Sequence, residues 1–203
     1  MELDWHQATQ NKEYLQLCVK RLDEPILIWV NQIAEMLPYF ISVNEIGCNV
    51  GHFYRGIQNK NITYKGYDVS KTYLDIATQR FGEHFHQLDV TKQIPRVADV
   101  TIISATLEHL ENYEEALRNI FLSTRKRIII RTFVGYRSKT NYRLKPESKE
   151  PYVIHQFTKK QLNPHNIPLT VIKDEATESK KYDIDGIRRR MKILDFNLRD
   201  GYV

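Results

Sequence analysis

The sequence predicts an α/β fold: a doubly wound, mostly parallel sheet preceded by a pair of helices. Three observations carry this. From Ile41 to Phe133, short apolar runs alternate with segments of helical period, the rhythm of parallel crossover units. Within that stretch Ile128-Ile129-Ile130 is apolar at successive positions, as in a strand covered on both faces. The length, 203 residues, suits one domain spanning 1–203 that buries a core without staples.

The elements follow in order. Trp5 to Leu37 reads as two helices. Leu15, Cys18, Val19 and Leu22 recur at helical spacing in the first. Pro25 fits the first turn of the second, which carries Ile26, Ile28, Trp29, Ile33 and Met36. After Pro38 the pattern changes. Strands are expected over Ser42–Ile46, Thr63–Tyr67, Glu83–Leu88, Asp99–Ser104 and Arg127–Thr132. Helices are expected over Val50–Gln58, Lys71–Phe81 and Tyr113–Leu122. Gly135 to Gln156, with Pro146 and Pro151, reads as a long polar loop. Thr158 is placed to cap a short helix over Lys159–Leu162. Leu169–Lys173 and Met191–Phe196 read as an antiparallel pair closing the sheet.

Composition narrows the setting. No apolar run has the length of a membrane span, and Glu2, Asp4, Trp5 and His6 do not open a signal peptide. Cys18 and Cys48 sit in no metal or redox spacing. These features point to the cytoplasm, with no membrane partner. The formal charge is +5, with clusters at Arg125-Lys126-Arg127, Lys180-Lys181 and Arg188-Arg189-Arg190. Such clusters attract phosphate, but no nucleic-acid motif accompanies them, so a solvated surface is favoured over a nucleic-acid partner. His84 and His86 share a strand face, yet no further ligand joins them, so no metal is expected. His155 borders the polar loop, where a role at the site and a place on the surface are both open, the surface being at least as well supported.

The chemistry concentrates at strand ends. The first strand runs through Glu45-Ile46-Gly47-Cys48-Asn49-Val50-Gly51 into a helix. A glycine-rich turn there lets the backbone pass close to a ligand. Gly47 and Gly51 remove the Cβ that would collide. Asn49 stands where a third glycine would, and Asn tolerates left-handed angles well. Asp68, 23 residues after Glu45, ends the second strand, where an acid can accept from both hydroxyls of a ribose. Asp89 closes the third strand. Ser104-Ala105-Thr106-Leu107-Glu108-His109 follows the fourth.

These residues resemble the motifs of class I S-adenosylmethionine-dependent methyltransferases of the small-molecule branch. Glu45, Gly47 and Gly51 match the first motif and Asn49 departs from it. Tyr67-Asp68-Val69-Ser70 looks like the second, Leu88-Asp89-Val90 the third, and Asp99 through Leu110 the fourth. The resemblance covers about 41–133. It implies a Rossmann-like, seven-stranded sheet whose last strand is antiparallel. It implies S-adenosyl-L-methionine as cofactor, held by Glu45, Gly47, Cys48, Asn49, Gly51, Asp68, Val69, Asp89, Val90, Ser104 and Ala105. Helices over 1–40 would precede this core, and 134–203 would supply the acceptor side. The implied reaction is methylation of O or N on a small molecule or saccharide. RNA or protein methylation and a non-catalytic partner subunit remain alternatives.

His109 and Glu108 are the candidates for a general base, although such a pair also shapes pockets or caps helices. Arg131 ends the fifth strand near the expected pocket mouth. With Tyr136 it is a candidate for holding an anionic acceptor. The residues argue against two rivals, while ribose methylation stays open. A nicotinamide site needs G-x-G-x-x-G, which Asn49 and His52 break. Enzymes of exocyclic base nitrogens often carry an [N/D/S]-P-P-[Y/F/W] turn, where this chain has Ser104-Ala105-Thr106-Leu107.

Overall fold

The computed structural model describes residues 12–144, 151–174, 183–184, 187–188 and 191–198. Two helices lead, α1 (Lys12–Arg21) and α2 (Ile28–Glu35). The core then alternates β1 (Ser42–Ile46), α3 (His52–Ile57), β2 (Thr63–Asp68), α4 (Lys71–Phe81), β3 (Phe85–Gln87) and β4 (Ala98–Ser104). A single 3₁₀ turn at Leu107–His109 leads to α5 (Tyr113–Leu122) and β5 (Thr124–Phe133). Next come β6 (Lys139–Leu144), β7 (Pro151–Gln156), α6 (Lys159–Leu162) and β8 (Leu169–Lys173). The short pair β9 (Asp183–Ile184) and β10 (Ile187–Arg188) precedes β11 (Met191–Asn197). The start of the first expected helix, before Lys12, lies outside the described residues, as do Lys145, Pro146, Lys180, Lys181, Arg189 and Arg190.

Seven strands form one sheet in the order β3-β2-β1-β4-β5-β11-β8. β1 to β5 pair in parallel, and β11 runs antiparallel to both β5 and β8. This is the expected mostly parallel sheet with its antiparallel last strand. Alternation along the strands sends side chains to two cores. On one face Val43, Val100, Ile102, Ile129 and Ile193 meet Val30 and Ile33 of α2, Phe53 and Ile57 of α3, and Leu74 and Ala77 of α4. On the other, Ile46, Ile103, Ile128, Ile130, Leu194 and Phe196 meet Leu117 and Ile120 of α5, with Phe157 and Leu162. The three isoleucines therefore fill both cores, as their run implied. Among the described residues no helix is long and apolar enough to cross a membrane.

The polar loop expected over Gly135–Gln156 is instead a strand pair. β6 and β7 pair antiparallel from Lys139↔Gln156 to Leu144↔Pro151, apart from the main sheet. Prolines and charge hid it. The signal was the apolar Val153-Ile154, both buried. Two histidines fasten this pair to the 3₁₀ turn. His109 Nδ1 lies 3.1 Å from the Val153 carbonyl, and His155 Nε2 lies 3.1 Å from the Leu110 carbonyl. A carbonyl only accepts, so each of these nitrogens carries the hydrogen. His155 Nδ1 then accepts from the Thr140 hydroxyl at 3.0 Å. His155 is buried against Tyr113 and Phe157, not on the surface. Thr158 caps α6 in a reciprocal capping box with Gln161, as its position predicted.

A buried ion pair fixes β5 to the end of β8. Arg131 Nε and Nη2 meet Asp174 Oδ2 at 3.0 and 2.9 Å, and the guanidinium lies 5.3 Å from the centre of the Trp29 ring. Both side chains are withdrawn from water. Removing one partner leaves a buried charge unpaired, which costs about 3–5 kcal/mol. Asp174→Ala is therefore expected to lower unfolding free energy by that amount in urea denaturation. The apolar pair Arg131→Met with Asp174→Leu should recover most of the loss. A loss under about 1 kcal/mol, the range of exposed pairs, would show the pair to be solvated.

Candidate cofactor and acceptor site

The turn after β1 adopts three left-handed angles: φ is 73° at Gly47, 51° at Asn49 and 90° at Gly51. Gly47 N–H and Cys48 N–H both donate to the Tyr67 carbonyl, at 2.8 and 3.0 Å. Asn49 N–H donates to Asp68 Oδ2 at 2.9 Å, and Ser70 N–H to Asp68 Oδ1 at 2.9 Å. The Ser70 hydroxyl in turn caps α4. The Asn49 side chain accepts from Val50 N–H at 2.8 Å, the local bonding that lets Asn replace glycine here.

The glycines serve neighbours inside the protein. A Cβ on Gly47 would lie 2.1 Å from the Thr106 hydroxyl, and one on Gly51 would come 3.0 Å from the Phe81 ring. The space each leaves is thus filled by this chain's own side chains, which corrects the expectation that a ligand fills it. Cys48 is buried, and burial pushes its thiol well above the usual range, so it is no nucleophile.

Glu45 is engaged inside the protein. It is buried and accepts a hydrogen bond from the Tyr64 hydroxyl. Asp68 behaves differently: its two oxygens each hold one backbone N–H, and a carboxylate offers about four acceptor positions. A carboxylate at this strand end is chemically suited to the hydroxyls of a nucleoside. Val69 is half-buried beside it. Asp89 Oδ1 accepts from Thr91 N–H and hydroxyl at 3.0 and 2.6 Å, closing the turn after β3. Val90 is buried in the core, and its carbonyl accepts from Asn119 at 2.8 Å. Ser104 is half-buried. Ala105 is exposed at φ 54°, its N–H on the Arg131 carbonyl at 2.9 Å.

On the acceptor side the candidates separate. Glu108 is fully buried, and its Oε2 accepts from the Thr132 hydroxyl at 2.9 Å. Buried, it tethers the 3₁₀ turn to β5 through this bond, while its Oε1 has no hydrogen-bond partner among the described residues. His109 is half-exposed beside Tyr152. Arg131 is spent on Asp174, with Ser104 Oγ at 3.5 Å, so its charge is neutralised internally and does not await an anion. Tyr136 is fully exposed. His84 and His86 part company: one ring packs on Tyr54, the other on Tyr67. The motif reading passed over α1 and His52. His52 Nε2 donates to the Cys18 carbonyl at 3.0 Å, bringing α1 onto the turn.

Burial pushes the Glu45 carboxyl up to about 8, with the Asp68 charge acting in the same direction and the Tyr64 hydroxyl against it. The folded protein thus keeps a proton that the unfolded chain releases near the usual carboxyl range. Stability from this group is complete below that range and is lost as pH rises to about 8. The slope approaches about 1.4 kcal/mol per pH unit. Melting temperatures measured from pH 5 to 9 should fall more steeply for wild type than for Glu45→Gln. Parallel curves would mean that Glu45 is ionised at neutral pH.

A family model described as a methyltransferase domain matches residues 44–126. Comparison with curated proteins gives no match. Solved structures share the fold at low identity. A TehB-like S-adenosylmethionine-dependent methyltransferase from Corynebacterium glutamicum aligns with TM-score 0.64 and 14% identity, over 93% of this chain and 97% of its own. A Methanosarcina mazei methyltransferase of the same dependence gives 0.65 and 12%, over 84% and 98%. The magnesium protoporphyrin IX methyltransferase of Synechocystis, with bound S-adenosylhomocysteine, gives 0.58 and 16%, over 84% and 82%. The strand-end motifs stand on this sheet, and its middle, residues 44–126, is similar to the methyltransferase-domain family, whose fold the solved structures share.

Proposed function

We propose that the chain methylates an oxygen or nitrogen of a small-molecule or saccharide acceptor, with His109 as general base. S-adenosylmethionine supplies a methyl group on a positively charged sulfur. Asp68 would orient its ribose, and the Gly47–Gly51 turn would carry the backbone past it. Much of the rate then comes from alignment, worth roughly 7–11 kcal/mol in favourable cases.

The observation that carries the role of His109 is its tautomer. With Nδ1 donating to the Val153 carbonyl, Nε2 of the neutral ring would be the nitrogen that takes an acceptor's proton. The residue follows β4, whose carboxyl end borders the crevice. Tyr136, Arg137 and Lys139, all exposed at the entry to β6, are the candidate contacts for an anionic acceptor in place of the internally paired Arg131. The folds this chain resembles include a magnesium porphyrin methyltransferase and a glycopeptide N-methyltransferase, so shape alone selects no acceptor.

The test is an acceptor screen with methyl-labelled cofactor, followed by kinetics of His109→Gln and His109→Ala. Loss of a general base should lower kcat by about 10²–10⁴-fold and remove the acidic limb of the pH–rate profile. The dissociation constant for S-adenosylmethionine should not change. Turnover within about twofold of wild type, or an acidic limb that persists, would exclude His109 as the base.

A further inference from the structure

At the end of the sheet away from the strand-end motifs, the starts of β1, β4 and β5 are bonded to one another. Ser42 N–H and hydroxyl both donate to Asp99 Oδ2, at 2.9 and 2.8 Å, and Lys126 Nζ lies 3.1 Å from Asp99 Oδ1. Ala98 N–H donates to the Ser123 carbonyl at 2.9 Å. The residues flanking these bonds are apolar and exposed. Tyr39 and Phe40 precede β1 at 60% and 83% exposure, their ring centres 6.5 Å apart. Val97 precedes β4 at 40%, and Leu122 ends α5 at 43%. Phe40 also holds φ at 61°, a left-handed angle that bulky residues seldom adopt. Single exposed apolar residues are ordinary. Several along one edge, with a strained aromatic among them, mark an interaction surface.

Cations border these side chains. Lys60 Nζ lies 5.3 Å from the centre of the Tyr39 ring and donates to the Leu37 carbonyl at 3.1 Å. Arg96, just before Val97, and Arg125, at the start of β5, are both exposed. The acids beside them are engaged, Asp99 with Lys126 and Asp195 with Arg127. Glu35 at the end of α2 and Glu83 before β3 are the exposed acids of this end. A two-fold pairing of identical edges would bring these cations against the same cations. An anionic surface meets no such conflict.

We propose that this edge attaches the protein to the face of an anionic lipid bilayer. Phe40 and Tyr39 enter the headgroup boundary, and Lys60, Arg96 and Arg125 meet the lipid anions. The attachment is peripheral and spans nothing. It leaves the carboxyl ends of the parallel strands, with Asp68 and His109, turned toward water, whatever acceptor they serve.

The experiment is co-sedimentation of the full chain with vesicles of phosphatidylcholine alone, or mixed equally with phosphatidylserine. Wild type should bind the mixed vesicles, bind the neutral ones about tenfold less or weaker still, and detach as salt rises. Phe40→Asn, which keeps a residue tolerant of the left-handed angle, should weaken binding by about tenfold. Arg96→Gln with Arg125→Gln should weaken it by about twentyfold, near fivefold for each charge. Lys71→Gln with Lys92→Gln removes the same charge at the opposite end of the strands and should cost less than about twofold. Wild type that ignores the mixed vesicles, or equal losses in the two double variants, would overturn the proposal. So would a lipid-free dimer in sedimentation velocity that Phe40→Asn dissociates, since the edge would then belong to a second copy.

Discussion

The Asp68 carboxylate holds two backbone N–H groups that belong to different crossover units. One is Asn49, in the turn after β1, and the other is Ser70, which caps α4. Each charge-assisted bond contributes about 1.5–3 kcal/mol. Together they fix where the turn stands relative to the end of β2. The Tyr67 carbonyl completes the clamp by accepting from Gly47 and Cys48. The crevice is thus organised by bonds that do not need a ligand, and ligand binding then orders little of the chain.

Two appendages frame this clamp. α1 packs on the turn and on α4, at the ends of β1 and β2. The β6–β7 pair is latched to the 3₁₀ turn after β4 by His109 and His155, each donating to a carbonyl on the other's side. Burial lowers the His155 pKa, so the neutral ring this latch requires is the form that the site favours. Beneath the latch, Glu108 ties the same turn to Thr132 of β5. The position of His109 therefore depends on a strand pair outside the main sheet and on a carboxyl that never meets solvent.

The sheet was legible because its signals are local. Period-two strands, helical spacing and acids at strand ends lie within short windows, and they placed β1 to β5, β8 and β11 correctly. What was missed depends on partners distant in sequence. Arg131 reads as a free cation until Asp174, 43 residues later, is found against it. Gly47 reads as a ligand cradle until Thr106 appears beside it. Glu108 reads as a base, with no sign of its burial or of its bond to Thr132. The β6–β7 pair escaped because its polar composition resembles a loop, and only Val153-Ile154 betray the face that packs. Asp68 was legible as the acid at the end of β2, whereas its bonds to Asn49 and Ser70 were not.

The central claim is that Asp68 both builds the crevice and receives the ribose of S-adenosylmethionine. Titration calorimetry of wild type and Asp68→Ala with S-adenosylmethionine tests it most directly. Losing two charge-assisted bonds predicts a fall in affinity of about a hundredfold or more. An unchanged dissociation constant in the folded variant would contradict the account.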